Sequence, residues 1–361
     1  MSRLDRLRHK LSEQGIEAFL ISRPANCCYL SGFDGEGFLL LTRDRAYLFT
    51  DFRYAEQARE QAPSFDLVQV RGELSKWLPE WVSELGIRQL GLEGDDLSLN
   101  TYRKLAERIL SLNPPPELVP TSGVVEALRA VKDEDEIEKL GRAASLAEAA
   151  LRWASEFLRP GMEERKVAWE LEKFLRENGS EELPFEIIVA SGPNSALPHA
   201  RPTSRLLLEG EPVIIDLGTR VQGYCGDLTR TFFLGRPRGE FERIYRLVQE
   251  AQTVALEGIR SGMTGEEADG LARKVIEGAG YGEAFGHGLG HGVGLEVHEA
   301  PRLGPESKDV LEEGMVFTLE PGIYLEGRGG VRLEDMVVLR RGKVCKLVEV
   351  EERHDRHQRA S

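Results

Sequence analysis

Two pairs of acidic residues follow apolar, strand-like segments in this sequence. Asp216 ends VIID and Asp227 follows after RVQGYCG, while Glu320 lies in VFTLEPG and Glu334 follows after EGRGGVR. Strand alternation would place Thr229 on the same face as Asp227. A buried carboxylate is costly unless it is paired, protonated or bound to a metal. Two hairpins of the same layout would gather four acids, so we predict two divalent cations between them.

A histidine-rich segment lies between the two hairpins and reads GHGLGHGVGLEVHEAP over residues 286–301. It contains neither GxGxxG nor GxxxxGK[ST], and no helix signal follows it, so a nucleotide-binding loop is not predicted. Glycines would instead let the backbone pass close to a site while imidazoles project into it. His291 is the best candidate for a nitrogen ligand, whereas His287 suits a structural hydrogen bond and a role in shaping the site equally well.

Composition limits the function classes. A chain of 361 residues suggests two domains, and 30% charged with 41% hydrophobic residues is typical of a globular protein. The net charge of −14 argues against nucleic-acid or anionic-membrane partners. No apolar run has the length of a signal peptide or a membrane span, so a cytoplasmic location is expected. Four cysteines offer no disulfide framework.

Helical and extended patterns alternate over residues 1–124, which predicts an α/β domain with strands buried on both faces. The proline-rich stretch Leu112 to Pro120 is expected to be a connector. A second domain over residues 125–361 is predicted to hold two helices, hairpins, two further helices and a β-rich end. The polar tail with His354 and His357 is not expected to bind metal.

Several of these segments together resemble a known family. IIDLGTRVQGYCGDLTRTF, GHGLGHGVGLEVHEAP, TLEPGIY and GGVRLEDMVVL are similar to the dinuclear metallopeptidases of the pita-bread fold, and among them to the Xaa-Pro peptidases, aminopeptidase P and prolidase. NCCYLSGF and YLFTDFRYAEQA resemble the creatinase-type amino-terminal domain of these enzymes. The resemblance covers nearly the whole chain. It implies a mixed α/β fold, with a creatinase-like α/β domain followed by a pita-bread catalytic domain.

The resemblance also implies the metal ligands. Asp216 would bind one metal ion, and Asp227 would bridge both. His291 and Glu320 would bind the other ion, with Glu334 as the second bridge. Two divalent ions are therefore expected in each subunit. Mn²⁺ is the first choice because oxygen ligands dominate, and Co²⁺ or Zn²⁺ would also suit the site.

Substrate-side residues are implied in the same way. His199 in LPHA and His298 in VHEAP match the family's substrate-side histidines, and both are catalytic candidates together with Glu320. Arg332 matches an arginine of the proline-specific members, and Arg302 is a further candidate substrate contact. A hydroxide shared by the two ions would attack the carbonyl, Glu320 would relay a proton, and His298 would stabilise the developing charge.

The expected activity is cleavage of the peptide bond before proline, with a proline-containing peptide as the partner and a homodimer as the family's usual assembly. VHEAPRLG favours aminopeptidase P, and prolidase is the alternative. Methionine aminopeptidase shares the five ligands, but the additional amino-terminal domain and Arg332 favour proline specificity. A metal-free peptide-binding module and metal-free, creatinase-like C–N hydrolysis remain as more distant alternatives, which the intact ligand set disfavours.

Overall fold

The computed structural model describes residues 1–348, so His354 and His357 lie outside the described residues. The chain divides into two compact units, Met1–Arg129 and Ala130–Ser361. The boundary predicted after residue 124 lies just ahead of a short helix, Glu126–Ala130, whose last residue is the first of the second unit. Within residues 1–348, every helix is too short or too polar to cross a membrane.

The first unit is built around one mixed sheet of six strands, and its residues are all described. The strand order is β4-β3-β2-β1-β5-β6. β1–β2 and β2–β3 are antiparallel, and the other neighbours are parallel. Its elements are α1 (Arg3–Glu13), β1 (Ala18–Ile21), α2 (Pro24–Ser31), β2 (Phe38–Leu41), β3 (Ala46–Thr50), α3 (Ala55–Gln61), β4 (Asp66–Gln69), α4 (Leu74–Glu84), β5 (Gln89–Glu93), α5 (Leu99–Ile109), β6 (Glu117–Thr121) and α6 (Glu126–Ala130).

Continuous apolar runs form the central strands of this sheet. Every residue of β1 and of β3 is buried, as expected where a sheet is covered on both faces. Phe49 of β3 stacks on Trp77 of α4 with ring centroids 4.6 Å apart. The connector predicted over Leu112–Pro120 is partly wrong, because β6 begins at Glu117 and contains Pro120. β6 is an edge strand, which tolerates a proline because one side needs no ladder hydrogen bonds.

Helices and three sheets make up the described part of the second unit. The sheets have the orders β7-β8-β9, β11-β10-β12-β15-β16 and β13-β14. Its elements are α7 (Glu134–Phe157), α8 (Glu164–Glu177), β7 (Ile188–Ser191), β8 (Pro212–Val221), β9 (Tyr224–Phe233), α9 (Phe241–Gly258), α10 (Gly265–Gly278), β10 (Gly290–Gly292), β11 (Glu299–Leu303), β12 (Val316–Leu319), β13 (Gly322–Leu325), β14 (Gly329–Arg332), β15 (Asp335–Arg340) and β16 (Lys343–Lys346).

The hairpin β8–β9 is shaped by its turn and by α7. Gln222 and Gly223 both have positive φ, 52° and 80°, as a two-residue hairpin turn of the primed type requires. Thr219 donates its hydroxyl hydrogen to the Ala143 carbonyl of α7 at 2.8 Å. A Cβ at Gly226 would lie 2.7 Å from that same oxygen, so only glycine permits this approach. The hairpin is thereby held against α7.

A second hairpin, β13–β14, connects the ends of β12 and β15. Glu320 directly follows β12, and Glu334 lies between β14 and β15. Gly322 pairs with Arg332 across this hairpin. Both acids of the second pair therefore lie at its open end, as the sequence layout predicted. α9 and α10 contribute Val248 and Ala272 to the same apolar core as Phe317 of β12.

Candidate metal centre

Two hairpins bring the four acidic side chains to one place. Asp216 lies opposite Thr229 in the β8–β9 ladder, and Asp227 lies opposite Gly218, so both aspartates project from one face. The backbone N–H of Glu334 donates to the Thr229 carbonyl at 3.0 Å. This bond joins the second hairpin to the first and sets Glu334 beside the aspartates.

His291 faces these carboxylates from β10. Its Nε2 lies 3.6 Å from Asp227 Oδ2 and 3.5 Å from Glu320 Oε1. Nδ1 lies 3.1 Å from the Gly292 carbonyl, which can only accept, so Nδ1 carries the hydrogen and Nε2 is left as an acceptor. Burial, with a contribution from His298, lowers the pKa of His291 to about 4. The neutral ring therefore presents a lone pair to the acids, as a metal ligand must.

The acids are poorly accommodated as free anions. One ligand atom each from Asp227, His291 and Glu334 lie within 4.8 Å of one another. Burial, then the charge of Glu334, raises the pKa of Asp227 and of Glu320 well above their usual values. Burial, then Asp216, raises the pKa of Glu334 to about 8. Like charges in a dry site can ionise together only if cations compensate them.

Asp216 shows directly that the site suits a cation. Its Oδ2 accepts a hydrogen bond from Arg332 at 2.6 Å, whereas its buried Oδ1 has no hydrogen-bond partner among the described residues. A buried carboxylate oxygen without a donor is unfavourable unless a positive ion meets it. Four carboxylates and one imidazole form a donor set that fits hard or borderline divalent metals.

Thr229 and Arg332 connect the acids to the surrounding wall. Thr229 is fully buried; its hydroxyl donates to Glu334 Oε2 at 2.6 Å and accepts from Arg332 Nε at 3.2 Å. Arg332 is also buried, and its Nη1 donates to the Pro198 carbonyl and the Tyr324 hydroxyl. This arginine therefore has several fixed acceptors, and its orientation is determined before any ligand binds.

The sequence left open whether His287 forms a structural hydrogen bond or shapes the site, and it did not indicate a role for Tyr324. The Nδ1 of His287 donates to the Gly288 carbonyl at 2.8 Å, so its Nε2 accepts the Tyr324 hydroxyl hydrogen at 2.9 Å. Burial lowers the pKa of His287 to about 4, consistent with a neutral ring. His287 thus supports Arg332 through Tyr324. Tyr324 lies in TLEPGIY, but no spacing rule indicated where its hydroxyl points.

Two residues of α10 position the glycine-rich segment, and the sequence did not suggest either of them. Asp269 accepts the backbone N–H of Leu289 at 3.0 Å. Arg273 donates to the carbonyls of Phe285 and His287 at 2.8 and 2.7 Å. A Cβ at Gly290 would lie 2.0 Å from the Thr318 carbonyl, so the glycine permits β10 to pack closely on β12.

A cavity of about 600 Å³ opens onto the acids. Apolar side chains of Phe185, Ile188, Val297 and Leu303 form part of its wall. Every site residue predicted from the sequence also lines it: Asp216, Asp227, His291, Glu320, Glu334, His199, His298, Arg302 and Arg332.

The substrate-side candidates differ in exposure. His199, His298 and Arg302 are exposed, whereas Arg332 is buried. The ring centroid of His298 lies 4.3 Å from that of His291. Partial desolvation of the ring, with a contribution from His199, lowers the pKa of His298. Arg302 lies opposite His291 in the β10–β11 pair. His199, His298 and Arg302 line the cavity that opens onto the acids.

Family comparisons cover both units. The metallopeptidase family M24 matches residues 138–341, and the creatinase/prolidase N-terminal domain matches residues 3–131. A protein named Xaa-Pro dipeptidase from Pyrococcus furiosus is 36% identical over 97% of this chain and 98% of its own length.

Solved structures of similar proteins superpose over almost the entire chain. The structure of an Xaa-Pro dipeptidase from Bacillus anthracis matches with a TM-score of 0.92 and 43% identity, covering 96% of this chain and 97% of that one. An X-Pro aminopeptidase from Thermotoga maritima matches with a TM-score of 0.88 and 38% identity, covering 97% and 98%. The expected fold, a creatinase-like domain followed by a pita-bread domain, is confirmed.

Proposed function

Because the chain belongs to metallopeptidase family M24, we propose that it is a metal-dependent Xaa-Pro dipeptidase, a prolidase. The observation that carries this proposal is the cluster of Asp227, His291 and Glu334 beside Asp216, whose Oδ1 has no hydrogen-bond partner within the described part of the chain. A cluster of carboxylates and an imidazole suits metal-dependent hydrolysis, and the fixed Arg332 suits the proline-specific members of the family.

The activity that the segment VHEAPRLG predicted, aminopeptidase P, is not supported, and the alternative, prolidase, fits the relatives better. Proteins named Xaa-Pro dipeptidase are 43% and 36% identical to this chain over nearly its full length. A protein named X-Pro aminopeptidase, from Thermotoga maritima, is also 38% identical to this chain. The length of the preferred substrate is therefore the property to measure.

The ligand roles are part of the proposal. Asp216 would hold one ion, His291 and Glu320 the other, and Asp227 and Glu334 would contact both. Two divalent ions supply Lewis-acid polarisation of a carbonyl and lower the pKa of a water toward neutrality. We assign Mn²⁺ because carboxylate oxygens outnumber the single imidazole, with Co²⁺ and Zn²⁺ as the ions to compare.

The side chains around the ions would carry the proton and hold the peptide. The Glu320 carboxylate would take a proton from the attacking water as the water oxygen bonds to the carbonyl carbon. It would then pass this proton to the departing prolyl nitrogen, which becomes an amine as the C–N bond breaks. His298 donates a hydrogen bond to the oxygen of the attacked carbonyl, and His199 orients the peptide. The prolyl nitrogen of the substrate has no hydrogen, so binding cannot depend on donation from that atom.

Arg302 gives a reason for dipeptide selection. Its exposed guanidinium lies on the wall of the cavity and would pair with the terminal carboxylate that an Xaa-Pro dipeptide places there. A longer peptide has an uncharged amide at that place.

We also propose a homodimer, on the family resemblance alone. A sedimentation coefficient that corresponds to a single chain would contradict it.

Substrate length tests the proposal. The metal-loaded protein should cleave an Xaa-Pro dipeptide with a kcat/KM about 100-fold above that for the Xaa-Pro-Xaa tripeptide, the size of effect expected when a charge-assisted contact is lost. A dipeptide without proline serves as the control substrate. Preference for the tripeptide would establish aminopeptidase P instead. Failure to cleave either peptide would favour the peptide-binding module.

A further inference from the structure

The segment Gly192–Pro202 carries His199 but has little apolar anchoring. His199 and Leu197 are exposed, and the buried residues within the segment are Gly192, Ser195 and Ala200. Small side chains bury little apolar area, so they contribute little to holding a loop in one position. The place of His199 over the cavity must therefore depend on polar contacts.

One buried carboxylate accepts hydrogen bonds from both ends of this segment. Glu164, at the start of α8, has no exposed surface. Its Oε1 accepts from the backbone N–H and the hydroxyl of Ser191, both at 2.7 Å. Its Oε2 accepts from the backbone N–H of Thr203 at 3.0 Å and from the Thr203 hydroxyl at 2.6 Å. Asn194 donates its Nδ2 hydrogens to both oxygens, at 3.1 and 3.0 Å.

A carboxylate can accept all of these hydrogen bonds, whereas the neutral amide of a glutamine cannot. Every partner of Glu164 in this group is a donor, and a carboxylate is an acceptor on both oxygens. Hydrogen bonds to a charged acceptor are about twice as strong as neutral ones. A glutamine at this position would aim its amide hydrogens at donors from one end of the segment. The donors at that end would then have no acceptor although they are close to a buried side chain.

The segment is in turn connected to the site. The Pro198 carbonyl, next to His199, accepts from Arg332 Nη1 at 3.2 Å. The Ser195 hydroxyl oxygen accepts the backbone N–H of Gly330, in the strand that ends at Arg332, at 2.8 Å. Glu164 itself is not among the described residues that line the cavity. Any effect it has on substrate must pass through the segment.

We propose that Glu164 is a positioning residue, which holds both ends of Gly192–Pro202 so that His199 lies correctly against the substrate. This inference rests on the proposed peptidase function only for its catalytic consequence. Its structural part, the immobilisation of the segment by one carboxylate, can be measured without any substrate.

Kinetics test the catalytic consequence. Glu164→Gln should lower kcat/KM for the Xaa-Pro dipeptide about 10- to 100-fold, because a displacement near 1 Å can have an effect of that size. The bound metal content should not change. In a His199→Ala background the same substitution should have little further effect, because the two changes act on one contact. Wild-type kcat/KM in Glu164→Gln, or effects that multiply in the double variant, would overturn the proposal.

Hydrogen exchange tests the structural part in the metal-free protein. The amides of residues 192–203 should exchange faster in Glu164→Gln, while those of β8 and β9 keep their protection. Unchanged exchange in 192–203 would overturn the proposal. If the wild-type protein cleaves no proline peptide, the proposed function fails, and hydrogen exchange still decides whether Glu164 holds the segment.

Two further variants guard against a folding defect. Thr203→Val removes one exposed hydroxyl donor and keeps the size of the side chain, so it should show the same changes to a smaller degree. Glu181→Gln is the matched control, because Glu181 accepts the backbone N–H groups of Gln222 and Gly223 at the β8–β9 turn. Glu181→Gln should leave kcat/KM and the exchange of 192–203 unchanged. An equal effect of both Glu→Gln changes would contradict a specific role for Glu164.

Discussion

Arg332 Nη2 lies 2.6 Å from Asp216 Oδ2, while Oδ1 of the same carboxylate has no hydrogen-bond partner among the described residues. The two oxygens of Asp216 thus have different surroundings: one is held by Arg332 of the second hairpin, and the other is buried without a donor from residues 1–348. In the proposed function, the guanidinium fixes the carboxylate so that its free oxygen meets a metal ion. Pre-orientation of a ligand by a neighbouring group is a common way to raise metal affinity.

Arg332→Lys tests whether the shape of the guanidinium matters beyond its charge. A lysine can reach Asp216, but one ammonium group cannot also serve the Pro198 carbonyl, the Tyr324 hydroxyl and Thr229 in their fixed directions. We expect kcat/KM for the Xaa-Pro dipeptide to fall about 100-fold. Metal content, measured by elemental analysis, should stay near the wild-type value. Near-normal turnover would show that charge alone suffices.

Thr229→Val removes the hydroxyl that bonds to Glu334 without changing side-chain size. Metal affinity measured by calorimetry should fall about 10- to 100-fold, as is typical when a group that orients a metal ligand is lost. Thr231→Val is the matched control: its hydroxyl is also buried, but it donates to the Arg332 backbone carbonyl. That control should lose stability and keep its metal affinity. Equal affinities in the two variants would contradict the role of Thr229.

Glu334→Gln separates function from folding. The substitution removes a buried charge that repels Asp216, Asp227 and Glu320, so the metal-free variant should melt at or above the wild-type temperature at pH 8. Hydrolysis should nevertheless fall by about 1,000-fold or more, because a proposed bridging ligand is lost. Wild-type turnover, or a metal-free variant that is unfolded, would contradict this assignment.

Much of the site was visible in the sequence because each ligand follows a local rule. Glu320 directly follows the apolar strand β12, as predicted. Asp216 was predicted to end its strand, but it lies in the middle of β8, because the ladder with β9 continues to Val221. Thr229 was placed on the face of Asp227 by alternation alone, and the β8–β9 register has this arrangement. Tyr324, Asp269 and Glu164 could not be found this way. Their roles depend on where the side chain of one element meets a backbone far away in sequence, and no periodicity encodes that meeting.

Prediction of the fold was limited in the same way at the edge of the first sheet. The apolar runs of β1 and β3 predicted buried strands correctly, because strands that are buried on both faces consist mainly of apolar residues. Pro120 was assigned to a connector because proline usually interrupts strands. Its actual place in β6 depends on β6 being the outermost strand, which is a property of the strand order in the whole sheet.

The stability of the metal-free protein should depend on pH in a defined direction. The pKa of Glu334 is raised to about 8, so the folded metal-free state keeps a proton that the unfolded chain has already lost, and stability falls as pH rises through this range. His287 and His291, with pKa values lowered to about 4, have the opposite effect, but only below their unfolded value near 6.5. Between pH 6.5 and 8 the carboxylate effect remains.

The melting temperature measured at several pH values checks this. The metal-free protein should lose stability between pH 6.5 and 8, by at most about 1.4 kcal/mol per pH unit for each such group. Protein loaded with Mn²⁺ should not show the loss, because cations favour the ionised carboxylates. Glu334→Gln should flatten the metal-free profile. A metal-free melting temperature that rises over this range would contradict the account of the buried acids.

The most direct test of the central claim is the release of free proline from an Xaa-Pro dipeptide by protein stripped with a chelator, before and after Mn²⁺ is restored. We predict no release from the stripped protein, recovery with added Mn²⁺, and no recovery in Asp227→Asn under the same conditions. Release of proline by the stripped protein, or full recovery in Asp227→Asn, would contradict a metal-dependent dipeptidase built on this cluster.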